Sequence, residues 1–471
     1  MIFADLIFIF IFLPLFLICY FAATKKTLKN LVLAIFSLFF YAWGEPVWVL
    51  LLIGSALVDY CNGLFIGKFR GRKIAVLGVI SSLVINLGVL AAFKYSGFIV
   101  ENINLLFKTN FDVPNFRLPI GISFYTFQTI SYTIDVYRDN VKPQKNFISF
   151  LMYVSMFFQL VAGPIVRYSD VAKEIDRRSL TLSDFNTGLV RFIYGLGKKV
   201  LIANAVGELA DKYLIFDITP NSTAAAWFGL IMFTLQIYYD FSGYSDMAIG
   251  LGLMCGFHFP ENFNYPYVSR SATEFWRRWH ISLGSFFRDY LYIPMGGNRK
   301  HQLLNLAVVW FLTGLWHGAS WNFILWGCYF GVLVILEKFC YGKLLEKLPK
   351  FISHIYMFFV TVIGWGLFYF TDLTKFGKCV SAMFGFGDIP LTDELSKADL
   401  TANIFLIAAA VILCFPLFRF IREKALAAEE KSGAAVALFK SVQTILLIAI
   451  LGCSAVMLAS GTSNPFLYFN F

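Results

Sequence analysis

The chain has 471 residues, of which 58% are hydrophobic and 14% charged, and its formal net charge is +10. Soluble domains carry about a quarter charged residues, so this composition excludes a protein that faces water on all sides. The basic residues cluster in short loops between apolar segments, which indicates membrane topology and argues against nucleic acid as a partner. The eight cysteines form no CxxC pair, which argues against a disulfide framework and a zinc site.

Apolar segments long enough to cross about 30 Å of hydrocarbon recur along the chain. The first lacks a basic start and a cleavage pattern, so we expect a retained span that Pro14 interrupts. We predict an all-α polytopic membrane protein with about ten or more spans and a single domain over 1–471. The clearest candidates cover 2–21, 30–43, 47–66, 74–93, 147–163, 224–255, 302–337, 352–370, 402–420 and 436–459, and weaker ones cover 97–107, 118–136 and 185–207.

Charge alternates between the loops at both ends of the chain. Lys25, Lys26 and Lys29 lie in one basic loop, and "RFIREK" at 419–424 lies in another, whereas 383–400 is acidic. Loops rich in Lys and Arg face the cytoplasm. The pattern therefore predicts that both termini are extracytoplasmic.

The segment "LPIGISFYTFQTISYTIDVY" at 118–137 is interrupted by proline and glycine and is rich in polar and aromatic residues. Irregular backbone at membrane depth must be buried in protein or line a water-filled cavity. Two interpretations stay open here: a re-entrant piece that lines a cavity, and an ordinary bent span.

Polar residues are dense between 160 and 335. Asp240 and Asp246 lie within one run of spanning length, and we expect them to pair with arginines such as Arg277 or Arg278. The stretch 271–300 reads as an amphipathic helix at the membrane interface. Glu274 precedes the two arginines by three and four residues, which suits ion pairs on a helix surface.

Titratable side chains inside a bilayer are costly and suggest function, which makes the five histidines of the chain candidates for catalysis. His301 follows two basic residues and is expected to be solvated, His354 opens a span and is expected at the interface, and His258 lies in a turn-rich stretch that suits a structural role. His280 follows the arginine pair and is either a surface residue or a catalytic one.

His317 lies in "LTGLWHGASWN" at 312–322, between glycines and tryptophans. One interpretation is a buried neutral imidazole bonded to a backbone carbonyl. The other is a catalytic base, since the glycines permit close approach of a ligand and Thr313, one helical turn earlier, is placed to orient the ring. Imidazole has the right pKa to accept a proton near neutral pH.

Several catalytic motifs are absent from the sequence. There is no GxSxG, no HExxH, no GxxxxGK[ST], and no histidine followed five residues later by aspartate, the pattern of membrane-surface glycerolipid acyltransferases. A base without a neighbouring protein nucleophile suits direct attack by a bound hydroxyl group.

Three stretches resemble the membrane-bound O-acyltransferase (MBOAT) family, in the branch with the membrane components of bacterial alginate and peptidoglycan O-acetylation. The strong resemblance covers about 240–330, and weaker similarity extends over the whole chain. It is carried by "YSDMAIGLGLMCGF", "PENFNYPYVSRSATEFWRRWHISLGSFFRDYLYIPMGGNR" and "NLAVVWFLTGLWHGASWNFILWG".

The resemblance implies a ring of helices, with re-entrant and amphipathic pieces, around a tunnel whose catalytic block is about 238–335. The family's essential histidine falls on His317 and its second common polar position on His280. It implies a bacterial inner-membrane enzyme without a bound cofactor, a cytoplasmic acyl thioester as donor (acetyl-CoA for this branch), and an extracytoplasmic polysaccharide as acceptor. An SGNH-type esterase-fold partner completes the transfer in related systems. We assign substrate binding to Trp316, Asn322, Arg277, Arg278 and Asp246. Candidate contacts for the CoA phosphates are Arg277, Arg278 or loop lysines, and the sequence does not choose between them.

The chain ends in "NPFLYFNF" at 464–471, within an extracytoplasmic tail expected over 460–471. One interpretation is an aromatic anchor at the interface. The other is that the tail is similar to an F-x-Y-F tail of extracytoplasmic acylation systems, in which a tyrosine hydroxyl takes the acyl group. On this hypothesis Tyr468 is the acceptor that His317 activates.

Three alternatives stay open. Within enzymes, the acyl group is D-alanine or another acyl unit. A transporter or flippase of an acyl donor or glycan predicts paired broken helices in two related halves, whereas polar residues concentrate in one block here. A structural scaffold for a secretion complex gives no reason for His317.

Overall fold

The computed structural model describes residues 1–161, 163–214, 221–427, 433–461 and 466–467, and within these ranges the regular structure is helical throughout. The chain divides into two compact units. The first comprises Met1–Phe192 and Tyr244–Glu261, and the second comprises Ile193–Gly243 and Asn262–Phe471. Most of the predicted catalytic block belongs to the second unit.

The first unit is built from helices that follow one another closely along the chain. Its elements are Leu13–Ala22, Lys26–Gly44, Trp48–Lys68, Val76–Leu90, Ser96–Phe107, Ile122–Tyr137, Phe147–Ser155, Phe157–Leu160, Tyr168–Asp176 and most of Leu182–Gly197, with π-helical turns at Phe8–Phe12 and Ala91–Tyr95 and a 3₁₀ turn at Lys73–Ala75.

The second unit begins in the last turn of Leu182–Gly197, continues through a π-helical turn at Lys198–Ala203 and contains most of the long helix Thr223–Met254. Its further helices are Asn204–Leu214, Ala272–Arg278, Ile281–Phe287, Gln302–His317, Trp321–Leu336, Gly342–Lys347, Lys350–Tyr369, Leu373–Met383, Glu394–Ala402, Ile404–Leu413, Leu417–Ala427 and Gly433–Ala459, with a 3₁₀ turn at Pro266–Val268 and π-helical turns at Arg288–Tyr292 and Glu337–Tyr341.

In the described ranges, six helices are long and apolar enough to cross a membrane, or seven if the bent pair Glu394–Ala402 and Ile404–Leu413 forms one span. This is fewer than the ten or more predicted from hydropathy. Local breaks explain part of the difference: the apolar run 147–163, for example, divides at Met156, whose backbone is not helical. The all-α membrane class is confirmed, while the ring around a tunnel and the single domain stay predictions.

The segment 118–137 forms one unbroken helix, Ile122–Tyr137, and the irregularity lies at its start. Gly121 has a φ of +75°, and an added Cβ there would lie 2.6 Å from the carbonyl oxygen of Leu160. The position therefore requires glycine for both its conformation and its close contact. Almost all of the helix is buried in the first unit, so its polar face meets protein.

The prediction of one amphipathic helix over 271–300 is wrong. The stretch contains two short helices, Ala272–Arg278 and Ile281–Phe287, separated at His280, which has a left-handed φ of +45°. Phe275 and Trp279 are buried in the second unit, so core packing overrides the helical pattern. The local ion pair is confirmed, because Arg278 contacts Glu274 at 2.9 Å.

The prediction that the two aspartates pair with arginines is confirmed for Asp246, through Arg191 and not through Arg277 or Arg278, and is wrong for Asp240. Asp246 belongs to the first unit and forms an ion pair of 2.9 Å with Arg191, which also bonds Glu261. Asp240 belongs to the second unit and pairs with Lys199. Helix-face spacing predicts only local pairs, whereas these partners are brought together by packing between distant segments.

Candidate active site

His317 is the last residue of the helix Gln302–His317, which packs against Trp321–Leu336. Two glycines allow this close contact. A Cβ at Gly314 would lie 2.4 Å from the carbonyl oxygen of Phe323, and a Cβ at Gly327 would lie 2.4 Å from that of Trp310. The two helices therefore form a tight hairpin that fixes where the backbone of His317 lies.

The imidazole of His317 lines a small cavity of about 30 Å³ in the second unit. That volume accommodates about one water molecule or a group of similar size. The walls are largely aromatic and come from several separate helices and from the C-terminal segment. The lining residues are Ile237, Asp240, Phe241, Trp279, His317, Trp326, Trp365, Phe368, Phe466 and Leu467.

Aromatic rings surround the imidazole and leave it only 7% exposed. Its centroid lies 4.9 Å from that of Trp326 and 5.3 Å from that of Phe368, and both rings meet it edge to face. Such arrangements are favourable for aromatic rings and limit the orientations available to them. The hydroxyl of Thr313, one helical turn earlier, donates to the carbonyl of Val309 at 2.7 Å, and its role in orienting the ring stays a prediction.

Asn322 and Trp316 lie around His317 in different ways. The buried amide of Asn322 donates to the backbone carbonyl of Phe368 at 3.0 Å, so this residue supports a cavity wall. Trp316 is buried, with its ring centroid 5.0 Å from that of His317 and 6.1 Å from that of His280. The ring of Trp316 therefore packs against both histidines.

His280 lies behind this aromatic layer and outside the cavity lining. Its Nδ1 is 3.0 Å from Oδ1 of Asn262, an oxygen that also accepts from the hydroxyl of Ser282. Nδ1 therefore carries the hydrogen. Burial lowers the pKa of His280 to about 3, so the ring is neutral at physiological pH. Its buried Nε2 has no hydrogen-bond partner among the described residues.

Asp240 contacts both a cation and the C-terminal segment. One of its oxygens lies 2.5 Å from Nζ of Lys199, and the other accepts the backbone N–H of Leu467 at 2.9 Å. Ile237, Asp240 and Phe241 share one face of Thr223–Met254 because they are spaced three and four residues apart. That face forms one wall of the cavity.

The remaining predicted site residues lie elsewhere or outside the described ranges. Arg277 is exposed, and Arg278 is held by Glu274 and the carbonyl of Asn264. Asp246 is engaged by Arg191 in the first unit. Tyr468 lies outside the residues that the structure describes.

Sequence reasoning missed most of the cavity. Lys199 had a detectable signal, because it is a basic residue inside the apolar candidate 185–207, and intramembrane charges suggest function. Trp365 and Phe368 had none, since aromatic residues in an apolar helix are ordinary core residues. The sequence places Phe466 in the C-terminal tail but does not indicate that it lines the cavity.

Comparison with known proteins identifies the family. Residues 5–377 match the membrane-bound O-acyltransferase family. The probable alginate O-acetylase AlgI of Pseudomonas putida is 39% identical over the whole of both chains. The protein of that name from Pseudomonas aeruginosa is 41% identical over 90% of this chain and 83% of its own.

A third relative has a different named substrate. The peptidoglycan O-acetyltransferase of Helicobacter pylori is 34% identical over 88% of this chain and 86% of its own length. The similarity therefore extends far beyond the stretch around His317 that first suggested it. The chain belongs to the membrane-bound O-acyltransferase family, and the predicted enzyme class is confirmed.

Proposed function

We propose that this chain moves an acetyl group from cytoplasmic acetyl-CoA to an extracytoplasmic polysaccharide, with His317 as the general base. The observation that carries the proposal is the position of His317 in an aromatic cavity that the C-terminal segment also lines. The acetyl group and the polymer are suggested by the names of relatives that act on alginate or peptidoglycan.

The charge of the donor requires an arrangement across the membrane. CoA carries phosphates that are too costly to desolvate, so the donor stays on the cytoplasmic side and only its thioester end approaches the base. The basic loops support a cytoplasmic face that attracts this anion, with both termini on the outer side of a bacterial inner membrane. Arg277 is exposed and is proposed to contact a CoA phosphate.

The proposed chemistry needs one base and one acceptor hydroxyl, and the base itself carries no acyl group. His317 removes the proton from an acceptor hydroxyl as its oxygen attacks the thioester carbonyl. The carbon–sulfur bond then breaks, an ester forms, and the thiolate takes the proton from the imidazolium. General base catalysis of this kind contributes about 10²–10⁴ in rate. The aromatic walls keep water, a competing acceptor, out of the cavity.

The acceptor hydroxyl is proposed to be that of Tyr468. Leu467, the residue immediately before it, lines the cavity of His317, which supports this relay. The acetyl group would then pass from the tyrosine ester to an extracytoplasmic SGNH-type partner and from there to the polymer. His280, neutral and behind Trp316, is proposed to support the catalytic ring.

The size of the cavity favours acetyl over larger acyl groups. The cavity of about 30 Å³ is small, so an acetyl group requires less rearrangement of its walls than the larger D-alanyl group does. Transfer of D-alanine or another acyl group is therefore the second candidate. A transporter or flippase would not require a base at this position.

The test is polymer O-acetylation in cells that carry His317→Ala, with membrane abundance measured in the same cells. We expect acetyl ester to fall to background at normal abundance, because the base is lost. His354→Ala is the matched control, since His354 is exposed at the start of another helix and should keep full activity. Persistent acetylation in His317→Ala would rule out the proposed base.

A further inference from the structure

We propose that the buried pair of Asp240 and Lys199 is the docking site of the C-terminal segment and positions it in the His317 cavity. Both charged residues act on the segment and not on the reacting atoms, so they are positioning residues. The docking itself stands on the contacts of Phe466 and Leu467, whereas its role in acyl transfer rests on the proposed function.

Close packing at Gly243 allows the pair to form. This glycine lies three residues after Asp240, on the same side of Thr223–Met254. An added Cβ would lie 2.8 Å from the carbonyl oxygen of Gly195 and 3.1 Å from the backbone nitrogen of Lys199. The absence of a side chain therefore lets the π-helical turn Lys198–Ala203 approach the long helix and places Lys199 beside Asp240.

Each oxygen of the Asp240 carboxylate contacts a different partner. Oδ1 lies 2.5 Å from the ammonium group of Lys199, and Oδ2 accepts the backbone N–H of Leu467 at 2.9 Å. The side chains of Asp240 and Lys199 are 2% and 4% exposed. Hydrogen bonds to a charged group are stronger than those between neutral groups, so the bond from Leu467 to Asp240 holds the segment tightly.

Lys199 contacts the same segment at the neighbouring residue, Phe466. Its ammonium group lies 5.8 Å from the centroid of the Phe466 ring, within the range of a cation–π interaction. That ring is only 3% exposed. Two consecutive residues of the segment are therefore held at one ion pair, one through its ring and the other through its backbone.

This attachment fixes the register of the segment. The backbone N–H of Leu467 bonds the carboxylate of Asp240. If the segment moved along this site by one residue, Phe466 would lose its contact with Lys199, and Leu467 would leave the cavity. The next α-carbon follows at about 3.8 Å along the chain. The pair would thus set which residue of the tail follows directly on the cavity lining.

Stability alone does not explain a buried ion pair at this position. Replacing such a pair by apolar residues of similar volume is often neutral or stabilising, because the pair must be desolvated to form. The carboxylate of Asp240 also accepts the backbone N–H of Leu467, which an apolar residue could not do. Apolar replacement of both residues therefore separates docking from folding.

The test compares two double variants of the full chain, Lys199→Met with Asp240→Leu and Lys199→Met with Asp240→Asn. Both remove the ion pair without leaving an isolated charge, but only Asn keeps a side-chain oxygen that can accept from Leu467. Leu467→Cys is added to each double variant and to the parent chain as a site for chemical labelling. This substitution keeps the hydrogen bond to residue 240, because the donor is the backbone N–H. The measurement is the rate at which a bulky maleimide modifies Cys at position 467 in solubilised protein. Labelling of the eight native cysteines is measured in the same chain without Leu467→Cys and is subtracted.

We expect slow labelling in the parent and in the Asn variant, and labelling about tenfold faster in the Leu variant, the factor that about 1.4 kcal/mol represents for a lost backbone hydrogen bond. Equal labelling in the two double variants would overturn the docking site. Faster labelling in the Leu variant with unchanged polymer acetylation would overturn the role in transfer alone. Neither result bears on His317→Ala, which tests the proposed function separately.

A second pair of variants covers the case in which the double variants do not accumulate. Leu467→Pro removes the backbone donor and leaves Asp240 and Lys199 intact, whereas Leu467→Ala keeps the donor. We expect at least about a tenfold lower acetylation with proline than with alanine, at equal abundance. Equal acetylation in the two variants would overturn the positioning role.

Discussion

The indole ring of Trp326 meets the imidazole of His317 edge to face, with centroids 4.9 Å apart. Trp326 is fully buried and also lines the cavity. It follows His317 by nine residues, across the hairpin between the two helices. The hairpin thus supplies both the proposed base and one of the rings that hold it.

Replacing Trp326 by Leu should lower polymer acetylation about three- to tenfold, because an edge-to-face pair contributes roughly 0.5–1.5 kcal/mol beyond its buried area. Trp326→Phe keeps an aromatic edge and should lose less. Acetyl ester per unit of membrane protein is the measurement. Equal losses in the two variants would show that ring volume, and not aromatic geometry, is what matters here.

Replacing Gly314 by Ala should destabilise the protein by about 1–3 kcal/mol, because a Cβ would overlap the backbone of Phe323. Gly88→Ala is the control: nothing lies within 4 Å of its added Cβ, and alanine favours helix. Thermal unfolding of solubilised protein should show a lower midpoint for Gly314→Ala and an equal or higher one for Gly88→Ala. Matching midpoints would mean that the hairpin adjusts without cost.

Replacing Asn322 by Leu should reduce acetylation without removing His317. The carbonyl of Phe368 would lose its donor at 3.0 Å, at a cost of about 1–3 kcal/mol, and the cavity wall would shift. We expect both a lower unfolding midpoint and a lower rate. A normal rate with a lower midpoint would limit Asn322 to a stabilising role.

Replacing His280 by Asn should leave the pH profile of acetyl transfer unchanged between pH 5 and 8. The folded-state pKa of His280 lies near 3, below the unperturbed value of 6.5, so the ring is already neutral over this range and does not titrate there. The overall rate should fall, since Asn262 and Trp316 lose a neighbour. A profile that shifts in the variant would mean that His280 takes up or releases a proton during transfer.

The features that follow from local spacing were predictable. The apolar composition determined the membrane class, and the spacing of Glu274 and Arg278 predicted their ion pair. The glycines and tryptophans around His317 indicate a candidate site from the sequence alone. Such signals are readable because each depends on residues within one or two helical turns of one another.

Tertiary packing decided the rest. Burial of Phe275 and Trp279 broke the expected helix at His280, and the partners of both aspartates came from other segments. The amide of Leu467 reaches Asp240 across 227 positions of sequence. Trp365 and Phe368 became cavity walls only when their helix packed beside His317. The sequence alone determined the family and pointed to His317 as the candidate base, whereas the cavity and the contacts of Phe466 and Leu467 depend on packing between distant residues, which no local pattern encodes.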